Sequence, residues 1–280
     1  MLKRIVTIQD ISCFGKCSLT VALPVLSAMG LETAVIPTAV LSTHTGGFTG
    51  YTFRDLTEDI PDITKHWEKV GIHFDGIYTG YLGSSEQVKM VADFFDTFRS
   101  DDTTIIVDPV MGDRGRLYAG FTPDFAQEMK TLCSKADIIV PNMTEVSYLL
   151  GIPYTEEYDR AYIEGILRRL TDLGCRAAVI TGVRYNDGMH GAVAYDRETD
   201  SFCSAFQPHI EHSMHGTGDV FASVFSGALT KGASLQQALD AAVSFTSDAI
   251  NETIPCMEEC WYGVSFEPCL GKLADVSKKF

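Results

Sequence analysis

The chain reads as an α/β protein, with a mainly parallel central sheet, helices on both faces and an antiparallel hairpin towards the C-terminus. Three observations predict this. Short apolar runs alternate with amphipathic stretches of helical period from residue 4 to residue 181, the order that builds a parallel sheet covered on both sides. The pattern then changes, because runs at 191–195 and 201–206 flank the polar turn DRETD and read as a hairpin. No Pro-, Gly- or Ser-rich linker and no internal repeat divides the series, so residues 1–280 are expected to form one domain.

Period and breakers place strands at 4–9, 33–39, 76–79, 104–107, 138–140 and 177–181. Helices are expected between them at 18–29, 86–99, 122–134, 144–150 and 161–173, and after the hairpin at 217–230 and 235–250. Ligands of open α/β sheets bind beyond the carboxyl ends of the strands. The loops to watch are therefore 9–15, 40–50, 80–83, 108–115, 142–145 and 182–187, where Gly, Asp, His and Asn collect.

Composition excludes several classes. Hydrophobic residues make up 45% and charged residues 21%, values of a folded soluble chain. A formal charge of −15, with 22 basic residues scattered among 37 acidic ones, argues against general nucleic-acid or anionic-membrane binding. The segment MLKRIVTIQD enters a strand without the apolar core of a secretory signal. With no apolar run of transmembrane length, the expected location is the cytoplasm. Eight cysteines are then expected as reduced thiols. The C-x3-C pairs Cys13/Cys17 and Cys256/Cys260 lack the further ligands of a zinc site.

Three motifs carry chemistry. In HGTGD (residues 215–219) glycines precede a helix and leave backbone N–H groups open to an anion, a setting suited to a transferring phosphoryl group. Asp219 there is either a catalytic group or an ordinary first-turn carboxylate. DPVMGD (108–113) and PNMTE (141–145) each set carboxylates at a strand's end. Asp108 and Glu145 could hold Mg²⁺ directly or through water; the competing roles are a turn before Pro109 and a helix first turn. FGKCSLT (14–20) imitates a P-loop but lacks its first glycine, position 10 being Asp, and has Cys17 where Ser or Thr should follow Lys.

Taken together, G-T-G-D, DPVMGD, PN-x-x-E, THT (43–45) and GYLGS (80–84) resemble the ribokinase-like superfamily, specifically its vitamin B6 (pyridoxal) kinase branch. The motifs occur in the family's order over nearly the whole chain. The resemblance implies transfer of the ATP γ-phosphoryl group to the 5′-hydroxymethyl of pyridoxal, pyridoxine or pyridoxamine. It makes Asp219 the base and the backbone of Gly216, Thr217 and Gly218 the anion hole. Asp108 and Glu145 would organise Mg-ATP, with Asn142, Thr181 and Thr217 on the nucleotide side. Asp10, His44, Thr45 and Tyr81 would face the pyridine ring. A homodimer and a monovalent cation are also implied by the resemblance alone.

Two departures stand out. Asp10 replaces the serine of well-known members, and the loop HTGGFTG (44–50) is short and glycine-rich. The rival readings are a hydroxymethylpyrimidine kinase of thiamine synthesis and a non-catalytic B6- or nucleotide-binding protein. The thiamine branch's early glycine-rich substrate loop is missing here, and the catalytic constellation is present.

Overall fold

A computed structural model describes residues 2–185, 188–212 and 214–280. In chain order the strands are β1 (Arg4–Ser12), β2 (Glu32–Leu41), β3 (Phe53–Asp55), β4 (Gly76–Thr79), β5 (Thr104–Val107), β6 (Gly112–Asp113), β7 (Arg116–Leu117), β8 (Ile138–Ile139), β9 (Ala177–Arg184), β10 (Met189–Asp196) and β11 (Ser201–Pro208). The helices are α1 (Leu19–Ala28), α2 (Asp59–Val70), α3 (Ser85–Phe98), α4 (Pro123–Lys135), α5 (Met143–Leu150), α6 (Arg160–Thr171), α7 (Thr217–Thr230), α8 (Leu235–Thr253) and α9 (Leu270–Val276).

Nine strands form one sheet in the order β11-β10-β9-β8-β5-β4-β1-β2-β3. The run from β9 to β2 is parallel, and β10, β11 and β3 add antiparallel edges. This is the ribokinase-like α/β architecture, and the hairpin expected at 191–195 and 201–206 is β10–β11. β6 and β7 form a separate two-stranded flap.

Each face of the sheet carries its own core. On one, α2 to α6 bury Phe74, Phe94, Phe95, Leu132, Val146 and Leu167 against the strands. On the other, α1, α7, α8 and α9 bury Val25, Phe225, Leu239 and Leu273. Local chemistry starts these helices where they are needed: the Ser84 side chain caps α3, Thr122 caps α4 before Pro123, and Ser234 with Gln237 forms a capping box on α8.

The differences from the sequence pattern have local causes. β1 runs on to Ser12 because Ser12 still pairs with Leu41 of β2, so Asp10 sits in a strand rather than a loop. α2 was missed: it is largely charged, and only Ile60 is wholly buried, with Ile63 and Trp67 partly so. β3 is three exposed edge residues with no period to detect. Of the loop 182–187, residues up to Arg184 belong to β9, while Asn186 and Asp187 lie outside the described residues.

Phe94 packs in tilted pairs against Phe98 at 4.4 Å and Phe74 at 6.1 Å between ring centroids and is wholly buried. Phe94→Ala should lower the unfolding free energy by ~3–5 kcal/mol, the usual cost of emptying a buried phenylalanine site. Urea denaturation measures it.

Candidate active site

Ladder bonds set the strand ends level. Gly80 N–H donates to Ile8 O (3.0 Å), Asp108 N–H to Thr79 O (3.0 Å), Val140 N–H to Val107 O (2.9 Å) and Thr181 N–H to Pro141 O (3.0 Å). The loops holding the expected site residues thus leave the sheet along one edge, and α7 starts above it.

α7 begins after Gly216, whose φ is 82°. A Cβ at this position would lie 1.8 Å from the Lys16 carbonyl oxygen. Left-handed backbone and close approach both demand glycine. Gly216 offers no side-chain cap, and among the described residues no hydrogen bond takes the first-turn N–H groups of Thr217, Gly218 and Asp219, the kind of donors an anion can use. At Gly218 a Cβ would meet nothing within 4 Å, which marks open space beside the amides. The Thr217 hydroxyl turns away and donates to Met214 O (3.3 Å).

Asp219 is half-buried in the same turn. Burial pushes its carboxyl up to about 7, the Ser18 backbone N–H beside it opposes that rise, and nearby Asp10 adds repulsion. Ser18 reaches this position with φ 55° and ψ −132°, an unfavourable conformation for a non-glycine residue that costs ~1–3 kcal/mol. The strain aims a backbone donor at Asp219.

Asp108, just after β5, lies close to Asp219 and to Glu145 in the first turn of α5, and both Asp108 and Glu145 are buried. Burial raises the Asp108 carboxyl well above its ordinary range, with Glu145 and Asp219 adding repulsion, and no hydrogen bond among the described residues offsets it. Glu145 is pushed by burial to about 8 despite accepting from Asn142 N–H (2.8 Å) and Met111 N–H (3.1 Å). Asn142 Oδ1 returns the favour to the Thr144 and Glu145 N–H groups, completing a capping box on α5, and its Nδ2 donates to Gly112 O (2.9 Å). The capping role of Glu145 is therefore real. Thr181 is bridged to Asn142 across the β8–β9 ends.

Among the described residues no three His, Cys, Asp or Glu side chains close on one point to cage a metal ion. Asp108 and Glu145 nonetheless fit Mg²⁺, a hard cation that binds through one or two carboxylates and completes its shell with water and phosphate oxygens. Glu145, whose oxygens already accept backbone hydrogen bonds, would act through water. Two buried carboxylates without a compensating cation are the observation that favours such a guest.

Among the residues expected to face the ring, Asp10 is buried and accepts from Ser12 Oγ (2.8 Å). Burial raises its carboxyl, opposed by the Ser18 and Ser12 hydroxyls. The β1–β2 register shifts between Gln9 and Ile11, so Asp10 lies at an irregularity that re-aims a strand side chain. Tyr81, pushed by burial to about 12 with Asp10 adding repulsion, packs in a tilted arrangement against Phe121, ring centroids 5.5 Å apart. His44 is buried; its Nδ1 accepts from Gly46 N–H (3.1 Å), so Nε2 donates to Tyr262 O (2.6 Å). Burial lowers its pKa. Both ring nitrogens are thus committed to backbone, leaving His44 its ring for a ligand. Thr45 is exposed on the same loop.

A sequence profile of the phosphomethylpyrimidine kinase family matches residues 22–261. The chain belongs to this family. A Bacteroides thetaiotaomicron crystal structure named for a phosphomethylpyrimidine kinase and containing pyridoxal is 40% identical, with a TM-score of 0.93 over 98% of this chain and 96% of that one. Pyridoxal kinase from Lactobacillus plantarum is 32% identical, with a TM-score of 0.90 over 100% of this chain and 99% of that one. The pyridoxine/pyridoxal/pyridoxamine kinase of Bordetella avium is 28% identical, covering 89% of this chain and 85% of its own length. HGTGD, DPVMGD and PNMTE all lie within the matched residues, and their carboxylates Asp219, Asp108 and Glu145 meet around Asp108.

Several residues of this site had no sequence signal. Ser18 matters through its backbone, which any residue carries. Tyr118 follows β7 of the flap and keeps part of its surface exposed; partial desolvation and then repulsion from Glu145, Asp113, Asp219 and Asp108 hold its phenol protonated. Tyr78 is wholly buried under the carboxylates beside Ser223 and Gln9, and its hydroxyl, Ser223 Oγ and Gln9 Oε1 have no well-formed hydrogen bond. Ser223 follows Asp219 by one helical turn, which could have been read. Lys16 of the false P-loop pairs with Glu267 and lies 5.5 Å from the Phe266 ring centre. An open groove lined by Asp96, Arg99, Lys135, Asp137 and Arg176 lies at the opposite ends of the strands and mixes both charges.

Gly216→Ala should lower Tm and abolish turnover, whereas Gly218→Ala should keep its Tm and lose turnover by intruding where the anion sits; calorimetry with a kinase assay separates them. A carboxyl raised from 3.8 to about 7 on folding binds its proton more tightly in the folded state, so it loses stability as pH rises through that window. Asp219→Asn should therefore raise Tm at pH 8, with the gain shrinking as pH falls towards 4. An equal gain at every pH would contradict the buried charge.

Proposed function

We propose that this chain phosphorylates the 5′-hydroxymethyl group of pyridoxal, pyridoxine or pyridoxamine with ATP. The observation carrying the reading is Asp219 in the first turn of α7, at a helix start with no side-chain cap and against the Ser18 N–H. Phosphoryl transfer asks a protein for positioning and charge stabilisation, and this helix end supplies both.

The substrate hydroxyl lies within reach of Asp219, whose carboxylate accepts its proton as the new P–O bond forms. The Thr217 and Gly218 amides meet the charge gathering on the transferring oxygens. Asp108, Asn142, Glu145 and Thr181, on neighbouring strand ends, hold the nucleotide side. Mg²⁺, when bound through Asp108 and Glu145, supplies positive charge to the phosphates. Asp219 must be ionised to work, so activity should fall as pH drops below the region near 7.

Asp10 and Tyr81 face one another from β1 and the loop after β4 and frame the ring. An ionised Asp10 is acceptor-only and favours a cationic vitamer such as pyridoxamine. The resemblance supports a cytoplasmic homodimer, and potassium dependence of the rate would report a monovalent cation. No helix among the described residues is long and apolar enough to cross a membrane.

Asp219→Ala should lower kcat by ~10²–10⁴-fold, the range for a general base, in a coupled ADP-release assay with pyridoxal. Hydroxymethylpyrimidine turned over in preference to every B6 vitamer would reject the reading. Asp10→Ser should reduce the pyridoxamine-to-pyridoxal ratio of kcat/KM; an unchanged ratio would remove Asp10 from vitamer choice.

A further inference from the structure

Six rings from four separate segments meet at the substrate side of the cleft. Phe14 comes from the β1–α1 connection, His44 and Phe48 from the loop after β2, His215 from the residue before the anion hole, and Trp261 and Tyr262 from the C-terminal segment. Ring centroids are 4.8 Å apart for Phe14–Tyr262, 4.7 Å for Phe48–Trp261, 5.0 Å for His44–Phe48 and 5.3 Å for His44–His215.

The cluster is held in place by backbone. His44 Nε2 donates to Tyr262 O, and Val264 N–H donates to His215 O (3.0 Å). The Lys16–Glu267 pair adds a third tie between the C-terminal segment and the loop under Gly216. These links fix residues 261–267 to the two loops expected to face the ring and to the start of the anion hole.

The cluster is also left open. Trp261 is 50% and Phe14 51% exposed, although burying such rings would stabilise the fold. No acidic or permanently charged side chain belongs to it, and the buried His44 is biased to its neutral form. An exposed aromatic surface beside a catalytic carboxylate and an anion hole fits a flat, apolar-faced ligand carrying a primary alcohol.

We propose that Trp261 and Phe48 form an aromatic wall of the substrate pocket, making the C-terminal segment a determinant of specificity for planar heteroaromatic alcohols. This rests on the B6 kinase reading and adds to it a segment that the family's motifs leave out.

Steady-state kinetics on the full chain test the wall. In Trp261→Ala and in Phe48→Ala the KM for pyridoxal should rise by ~5–10-fold, the scale of a lost ring contact, with kcat and the KM for ATP nearly unchanged. Trp261→Phe should recover most of the loss. An unchanged KM for pyridoxal in both alanine variants, or an equal deterioration towards ATP, would assign the segment a purely structural role and overturn the inference. A second measurement does not need turnover. The chain has two tryptophans, so Trp67→Phe leaves Trp261 as the sole indole, and pyridoxal should quench its fluorescence saturably. No quenching would overturn the wall; quenching without phosphorylation of any vitamer would uphold it and reject the kinase reading instead.

Discussion

The meeting of the β1–α1 connection with the first turn of α7 is the constraint on which the site depends. Gly216 lies against the Lys16 carbonyl so closely that no Cβ fits, and two residues later Ser18 holds a strained backbone that points its N–H at Asp219. One contact therefore positions the amide row, the carboxylate and the substrate-side loop. Residues about two hundred apart in sequence must pack to make it, so it forms only when the sheet has brought β1 beneath α7.

The site is built at some expense to stability. Asp108, Glu145 and Asp219 sit together in a desolvated region with each raised above its ordinary range by burial. Beneath them Tyr78, Ser223 and Gln9 place polar oxygens in the core without well-formed hydrogen bonds. Such features are unfavourable by themselves, and a cation with phosphates bound there would offset them. The surrounding apolar cores of both sheet faces keep the arrangement folded in the meantime. Helix capping does part of the same work, since the Asn142–Glu145 box that starts α5 also fixes Glu145 beside Asp108.

The two ends of the active cleft differ in kind. The nucleotide side is made by strand ends and helix caps, which are rigid and close in sequence to the motifs that mark them. The ring side is made by loops and by the C-terminal segment, joined through His44, Tyr262, His215 and Val264. Under the proposed function, substrate choice would rest on elements that can vary without disturbing the strand ends and helix caps of the nucleotide side.

The sequence by itself determined the α/β class, the parallel run and the β10–β11 hairpin, because strand and helix periods are local properties that each segment carries. It also marked Asp219, Gly216, Asp108 and Glu145, since glycines before a helix and carboxylates after buried strands are rare enough together to be read. It did not disclose α2, whose surface is mostly charged, nor the β3 edge. Tertiary structure alone decided that Asp10 lies within β1 at a register shift, that both His44 nitrogens are spent on backbone, and that Ser18 serves Asp219. It alone brought Trp261 and Tyr262 against Phe48, Phe14 and His44. These are matters of register, backbone direction and contact between distant segments, and no local pattern of side chains encodes them.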